Sequence, residues 1–239
     1  MGKSALITGA SRGIGRAIAE ALAGEGIDLY LLCHNNIEML DELACRLTER
    51  YSISCRTFCG DVADSEFIDK VFSNIDSLDV LINNAGISHI GLLQDMTNEE
   101  WNKIINTNLS GVFYCCRAAI PLMLSSHSGR IINISSMWGS VGASMEVAYS
   151  TTKGGMNSFT KALAKELAPS NIVVNAIACG VIDTDMNSCF NDEEMSDLIN
   201  DIPIGRLGKP SEVAQVVLEL ASAPEYMTGQ IIGMDGGYI

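Results

Sequence analysis

The chain has 239 residues, 47% hydrophobic and 18% charged, a balance that excludes a disordered polymer and fits one α/β domain, residues 1–239, of above-average size. Lys plus Arg number 15 against 29 Asp plus Glu; the formal charge of −14 opposes binding to nucleic-acid backbones. No run of about 18 apolar residues marks a membrane span, and Met1–Thr8 lacks the pattern of a signal peptide, so a cytoplasmic location is expected.

In chain order, the apolar run Ala5–Thr8 predicts a strand that ends in glycines. Gly13–Ala23 carries Ile14, Ile18, Ala21 and Leu22 at helical spacing. Leu29–Cys33 predicts a second strand, Ile37–Tyr51 a helix, Ser65–Ile75 a helix and Val80–Ile82 a strand. Thr97-Asn98-Glu99-Glu100 has the form of a capping box before a long helix. Ile131–Ile134 and Val173–Ile177 read as strands; Tyr149–Leu167 and Ser211–Ala221 read as helices. Short strands that are apolar throughout are buried on both faces. Alternating with helices, they predict a doubly wound parallel sheet, with ligands beyond the carboxyl ends of the strands.

The eight cysteines form no C-x-x-C pair and no zinc-type cluster, so reduced and mostly buried thiols are expected, with no metal site.

After the first strand comes Thr8-Gly9-Ala10-Ser11-Arg12-Gly13-Ile14-Gly15. Glycines let a backbone turn sharply and approach a pyrophosphate, which a helix N-terminus attracts. A glycine-rich turn also serves as a plain connection; its position between strand and helix favours a dinucleotide. The residue that meets the adenine ribose is expected near Cys33 or His34, where no Asp or Glu stands. That absence permits a 2′-phosphate, with Arg12, His34 and Asn35 as its candidate contacts. NADP(H) is therefore favoured and NAD(H) is the alternative.

Thr8–Gly15, Asp61-Val62, Asn83-Asn84-Ala85-Gly86, Asn108-Leu109-Ser110-Gly111, Ser136, Tyr149-Ser150-Thr151-Thr152-Lys153 and Asn175 through Thr184 occur in one order along nearly the whole chain. In this the chain resembles the short-chain dehydrogenase/reductase family. The resemblance implies a single-domain Rossmann fold with a seven-stranded parallel sheet, and an assembly of two or four copies. Gly9–Glu20, Ile182–Met186, Ile202–Pro210 and Met234–Gly237 are most similar to the 3-oxoacyl-(acyl carrier protein) reductases within it. That similarity implies reduction of a 3-oxoacyl thioester, with acyl carrier protein as partner. The other reading is a dehydrogenase of a small ketone or alcohol, sugar, steroid or CoA thioester. A third is a cofactor-binding regulator without catalysis, which intact Ser136, Tyr149 and Lys153 disfavour.

Tyr149 and Lys153 are four residues apart, on one face of a helix. An ammonium near a phenol lowers its pKa and suits it to proton exchange. The resemblance makes Tyr149 the general acid and base. It also makes Tyr149 and Lys153 contacts of the cofactor, Lys153 through a hydrogen bond to the nicotinamide ribose, and Ser136, rather than the adjacent Ser135, the donor to the substrate oxygen. Asn108 would hold a water that links Lys153 to solvent. Gly9, Ser11, Arg12, Gly13, Ile14, Gly15, His34, Asp61, Val62, Asn83, Ala85, Gly86, Val181, Ile182 and Thr184 would bind the dinucleotide. Met186–Ile204 would form a substrate lid, rich in acid, and Met137, Trp138, Met145 and Met186 would line an apolar pocket. The family's usual Pro-Gly pair is replaced by Cys179-Gly180, which leaves that loop less restrained. Its two basic residues at the pocket rim are replaced by His127 and Ser170, which weakens the expectation of an acidic carrier.

Overall fold

The computed structural model describes residues 2–187 and 190–239, without the side chain of Asp192; Cys189 and part of the expected lid lie outside the described residues. The order is β1 (Ser4–Thr8), α1 (Gly13–Gly24), β2 (Asp28–Cys33), α2 (Ile37–Tyr51), β3 (Cys55–Cys59), α3 (Ser65–Phe72) and β4 (Val80–Asn83). Then follow α4 (Asn98–Ile105), α5 (Gly111–Ser126), β5 (Gly129–Ser136), α6 (Trp138–Val141), α7 (Val147–Leu167) and β6 (Ile172–Cys179). The chain closes with α8 (Asp192–Asp201), α9 (Pro210–Ser222) and β7 (Ile231–Met234). The strands form one seven-stranded sheet, parallel throughout, in the order β3-β2-β1-β4-β5-β6-β7. This is the expected doubly wound Rossmann-like fold. The order reverses between β1 and β4, which opens a crevice at the carboxyl ends of those strands.

Side-chain alternation along each strand feeds two cores. On one face Ala5 and Ile7 of β1 pack with Ile18 and Leu22 of α1, Leu40 and Leu43 of α2, and Val213 and Val217 of α9. On the other, Leu6 joins Ile68 of α3, Cys115, Cys116 and Met123 of α5, and Met156 and Leu163 of α7. β3 is the weakest strand to read, because it is an edge strand whose residues are only partly buried.

The capping box at Thr97 forms as expected: the Thr97 hydroxyl accepts from the Glu100 amide, and the Glu100 carboxylate accepts from the Thr97 amide at 2.8 Å. Helix α4 does not run straight into α5. A single π-turn, Asn106–Ser110, joins them, and Asn108 sits at its centre. By length and composition the continuous stretch Asn98–Ser126 is apolar enough to cross a membrane, which a search for unbroken apolar runs misses. Cys115, Cys116, Ala119 and Met123 of this stretch are buried under the sheet, whereas Phe113 and Leu124 stand exposed.

Candidate active site

A cleft of about 690 Å³ runs across the carboxyl ends of the strands. One end is the turn after β1. Gly9 has φ +67° and Gly13 φ +55°, conformations that side chains resist, so the turn needs glycine at both. At Gly15 a Cβ would collide with the Gly9 carbonyl oxygen; this glycine serves close packing of helix on turn and does not line the cleft. The turn is tied to β4 by side chains. The Thr8 hydroxyl accepts from the amides of Asn84 and Ala85, each at 3.0 Å, and the Asn84 amide group donates to the carbonyls of Thr8 and Gly9.

Asn84, and not the expected Asn83, is the asparagine that lines the cleft. The side chain of Asn83 is buried and donates to Asn133 Oδ1 at 2.8 Å, away from the cleft. Successive residues at a strand end point to opposite sides, and it is Asn84, with Ala85 and Gly86, that lines the cleft.

The wall continues through Cys33, His34, Asn35 and Asn36 after β2 and Asp61 and Val62 after β3. No carboxylate stands at the end of β2; Asp61 approaches His34 at 3.8 Å from the neighbouring strand. Ser11, Arg12 and Ile14 also line the cleft. Arg12 reaches across its mouth to Asp185 at 3.3 Å, with both side chains largely exposed.

At the other end Ser136, Tyr149 and Lys153 come together. Ser136 is the last residue of β5, and its hydroxyl meets the Tyr149 phenol while accepting the Trp138 amide at 3.2 Å. Its neighbour Ser135 donates instead to Asn157 Oδ1 at 2.7 Å, which separates the two candidates by geometry. The Lys153 ammonium lies 5.5 Å from the centroid of the Tyr149 ring and donates to the Ile134 carbonyl at 2.8 Å.

The expected lowering of the phenol pKa is not found. Burial holds Tyr149 above its usual value of 10.0; the Ser136 hydrogen bond opposes this, and the nearby Cys179 and Glu146 reinforce it. Burial also pulls Lys153 down to about 8, because an ammonium loses its hydration there. At neutral pH the free protein thus holds a protonated phenol beside a charged amine. Glu146 was not foreseen in the sequence. It lines the cleft, and burial raises its carboxyl while a hydrogen bond with Trp138 lowers it.

Asn108 lies below this end, fully buried. Its carbonyl oxygen accepts the Ile87 amide and its amide group donates to the Ile87 carbonyl, both at 2.8 Å; a further contact reaches the Thr152 hydroxyl at 3.2 Å. It therefore clamps the loop after Gly86, and Gly86 lies between Asn108 and the Lys153 amine.

Val181, Ile182 and Thr184 line the cleft beyond β6. The Cys179-Gly180 pair is held by backbone bonds at 2.8 Å, Met137 to Cys179 and Gly180 to Met234. The Cys179 thiol faces Lys153, and burial raises it to about 12. Met137, Trp138, Met186, Phe190 and Leu198 give this end an apolar lining. Met145 does not line it and stands exposed at φ +63°.

The expected positions of a basic rim are corrected by the topology. His127 and Ser170 precede β5 and β6, whereas the cleft lies where those strands end. Eight residues of strand, roughly 26 Å, separate the two ends within one chain.

The profile of the short chain dehydrogenase family matches residues 3–195. The chain belongs to this family. A short-chain dehydrogenase is an NAD(P)-dependent oxidoreductase acting on CH–OH groups, and the structure fits a dinucleotide: the glycine cradle and the continuous cleft leave the room that side chains would fill. An uncharacterized oxidoreductase of Bacillus subtilis is 40% identical over 240 residues, covering 100% of this chain and 99% of its own length. The 3-oxoacyl-(acyl-carrier-protein) reductase of Aquifex aeolicus is 41% identical, covering 99% of this chain and 97% of its own. That of Staphylococcus aureus is 42% identical, with 99% and 98% covered.

Proposed function

We propose that this chain is an NADPH-dependent ketoreductase that reduces the 3-keto group of a 3-oxoacyl thioester. The observation that carries the reading is the convergence of Ser136, Tyr149 and Lys153 on the apolar end of a cleft whose other end is the glycine turn. The nicotinamide, when bound, supplies the hydride. Ser136 donates a hydrogen bond to the carbonyl oxygen, and Tyr149 hands that oxygen its phenolic proton. The Tyr149 phenol is protonated at neutral pH, and it lines the cleft where it can give that proton to the substrate oxygen. Lys153 holds positive charge beside the phenol and hydrogen-bonds the nicotinamide ribose. Asn108 acts as a positioning residue through Ile87 and Thr152.

Gly9, Ser11, Gly13 and Ile14 cradle the pyrophosphate, with Gly15 packing behind them. Asp61 and Val62 hold the adenine, Ala85 and Gly86 flank the ribose, and Val181, Ile182 and Thr184 meet the nicotinamide. The missing carboxylate after β2 supports NADPH, with His34, Asn35 and Arg12 toward the 2′-phosphate. The apolar lining from Met186, Phe190 and Leu198 supports an acyl chain under a lid at about residues 186–205. The relatives named 3-oxoacyl-(acyl-carrier-protein) reductase support a carrier-bound substrate.

A second reading, a dehydrogenase of small ketones and alcohols, is favoured by the acidic face of α8, where Glu193, Glu194, Asp197 and Asp201 are exposed. Steady-state NADPH and NADH oxidation decides between them, with an acetoacetyl group offered on acyl carrier protein and on CoA. NADPH oxidation that prefers the carrier supports the first reading. No turnover of either thioester by a protein that binds NADPH moves the search to small ketones. A cytoplasmic homotetramer or homodimer is expected, with α5 exposing Phe113 and Leu124 at its surface; light scattering gives the mass.

A further inference from the structure

β2 and β3 run parallel, and their last residues, Cys33 and Cys59, are register partners. Register partners on neighbouring strands stand about 4.8 Å apart at Cα, inside the range of about 4.4–6.8 Å that a disulfide spans. Their side chains leave the same face of the sheet, and the two thiols are close enough to interact electrostatically. Cys33 is buried and lines the cleft beside His34, whereas Cys59 is exposed and donates to the His34 carbonyl at 3.2 Å. The other described thiols have no such partner at a strand end: Cys45 is exposed on α2, Cys55 opens β3 opposite Leu29, Cys115 and Cys116 are buried together on α5, and Cys179 ends β6 opposite Met234.

We propose that Cys33 and Cys59 form a reversible dithiol–disulfide site that couples the oxidation state of the protein to occupancy of the adenosine end of the cleft. The exposed Cys59 sulfur attacks a small-molecule disulfide such as glutathione disulfide, and the first glutathione leaves with a proton. The Cys33 sulfur then attacks Cys59, and the second glutathione leaves with the second proton. Two electrons pass from the protein thiols to the oxidant, and one S–S bond is exchanged for another.

Two features make the bond labile. The Cβ atoms of register partners in a flat pair stand farther apart than the roughly 3.8 Å mean of a disulfide, so closure draws the strand ends together and strains the link. Strained and exposed disulfides are the readily reduced ones. Closure also removes the Cys59 hydrogen bond to His34, the residue that this reading turns toward the ribose and its 2′-phosphate. The coupling to cofactor rests on the proposed function, whereas the chemistry of the thiols does not.

The test treats the full chain with glutathione disulfide and measures peptide masses and NADPH affinity. The expected result is a peptide pair linked through Cys33 and Cys59, with two hydrogens lost, that a dithiol reductant reverses and that Cys59→Ser abolishes. NADPH binding by fluorescence titration weakens roughly tenfold on closure, the size of one lost hydrogen bond to a charged group, and is unchanged by oxidant in Cys59→Ser. A stable glutathione adduct on Cys59, with Cys33 still open to alkylation after unfolding, overturns the site. A linked pair with unaltered NADPH affinity overturns the coupling. A reduced protein that binds no NADPH sinks the cofactor reading and leaves the mass measurement to decide the dithiol.

Discussion

The two ends of the cleft are built differently. The turn after β1 is made of backbone and space: positive-φ glycines, a helix start, and Asn84 and Thr8 tying loop to strand. The end at β5 and α7 is made of buried polar side chains that hydrogen-bond one another, though the Asn83 Oδ1 among them has no partner. Asn83 donates to Asn133, Asn133 to Thr160 at 2.8 Å, Ser135 to Asn157, and Asn108 to Thr152. The first end recognises by leaving room, which makes it sensitive to added atoms. The second holds reacting groups in one geometry, which makes it sensitive to removed ones, because each lost partner strands a buried donor or acceptor.

The sharpest test of the contrast is removal of a single oxygen. Tyr149→Phe deletes the phenol that meets Ser136 and under the proposed reading ends proton donation. The expected loss is about 10²–10⁴-fold in kcat. NADPH affinity and melting temperature change little, since only one hydrogen bond worth about 1 kcal/mol is lost. A variant that keeps its rate would make Tyr149 a packing residue only.

Next in size is Asn108→Ala, which leaves the amide and carbonyl of Ile87 unpaired in the interior. A destabilisation of about 2–4 kcal/mol is expected in urea unfolding. If Asn108 positions the reacting groups, kcat falls as well while the KM for cofactor holds. Gly15→Ala is the mirror case at the other end: one added carbon meets the Gly9 carbonyl and the Asn84 side chain. It should cost about 1–3 kcal/mol and weaken cofactor binding with little effect on the kcat of bound enzyme. Equal damage to kcat from both variants would erase the distinction between the two ends.

What the sequence made legible follows the same division. The glycine turn, the alternation of short apolar strands with helices and the Thr97 cap are local signals, each carried by a few adjacent residues. What it hid depends on direction or on distant pairing. Asn83 and Asn84 differ only in which side of a strand end they face. His127 and Ser170 belong to the wrong end of their strands, a fact visible only once the sheet is laid out. The π-turn carries Asn108, whose side chain binds the loop after Gly86, 21 residues away. Cys33 meets Cys59 because β3 docks outside β2 at the edge of the sheet. The phenol pKa departs from expectation because spacing reveals the neighbouring ammonium but not the burial that outweighs it.

A smaller effect is expected from pH. Burial disfavours the charged form of Lys153, so its proton leaves near pH 8 rather than 10.5. If that charge supports proton donation, kcat/KM for reduction falls up to tenfold per unit above about pH 8. Stability moves the opposite way for this group. Between about 8 and 10.5 the unfolded chain binds more protons at Lys153 than the folded one, so its contribution to stability rises with pH. The stability gap between Lys153→Met and the parent should therefore shift in the parent's favour from pH 7 to 10. A flat gap would mean that the amine is solvated in solution.

The least costly change is at the cleft mouth, where Arg12 pairs with Asp185 across 3.3 Å of open surface. An exposed pair of this kind is worth at most about 1 kcal/mol, so Asp185→Asn should leave the melting temperature where it is. Its interest lies in what Arg12 does once released. If Arg12 is a contact of the 2′-phosphate, Asp185 competes with that phosphate for the same guanidinium. Removing the competitor then lowers the KM for NADPH by up to about fivefold, the same 1 kcal/mol read as affinity, and leaves the KM for NADH unmoved. The effect shrinks as salt is raised, because both partners are exposed to screening. A parallel shift for the two cofactors would assign Arg12 to the pyrophosphate they share and leave discrimination to His34 and Asn35.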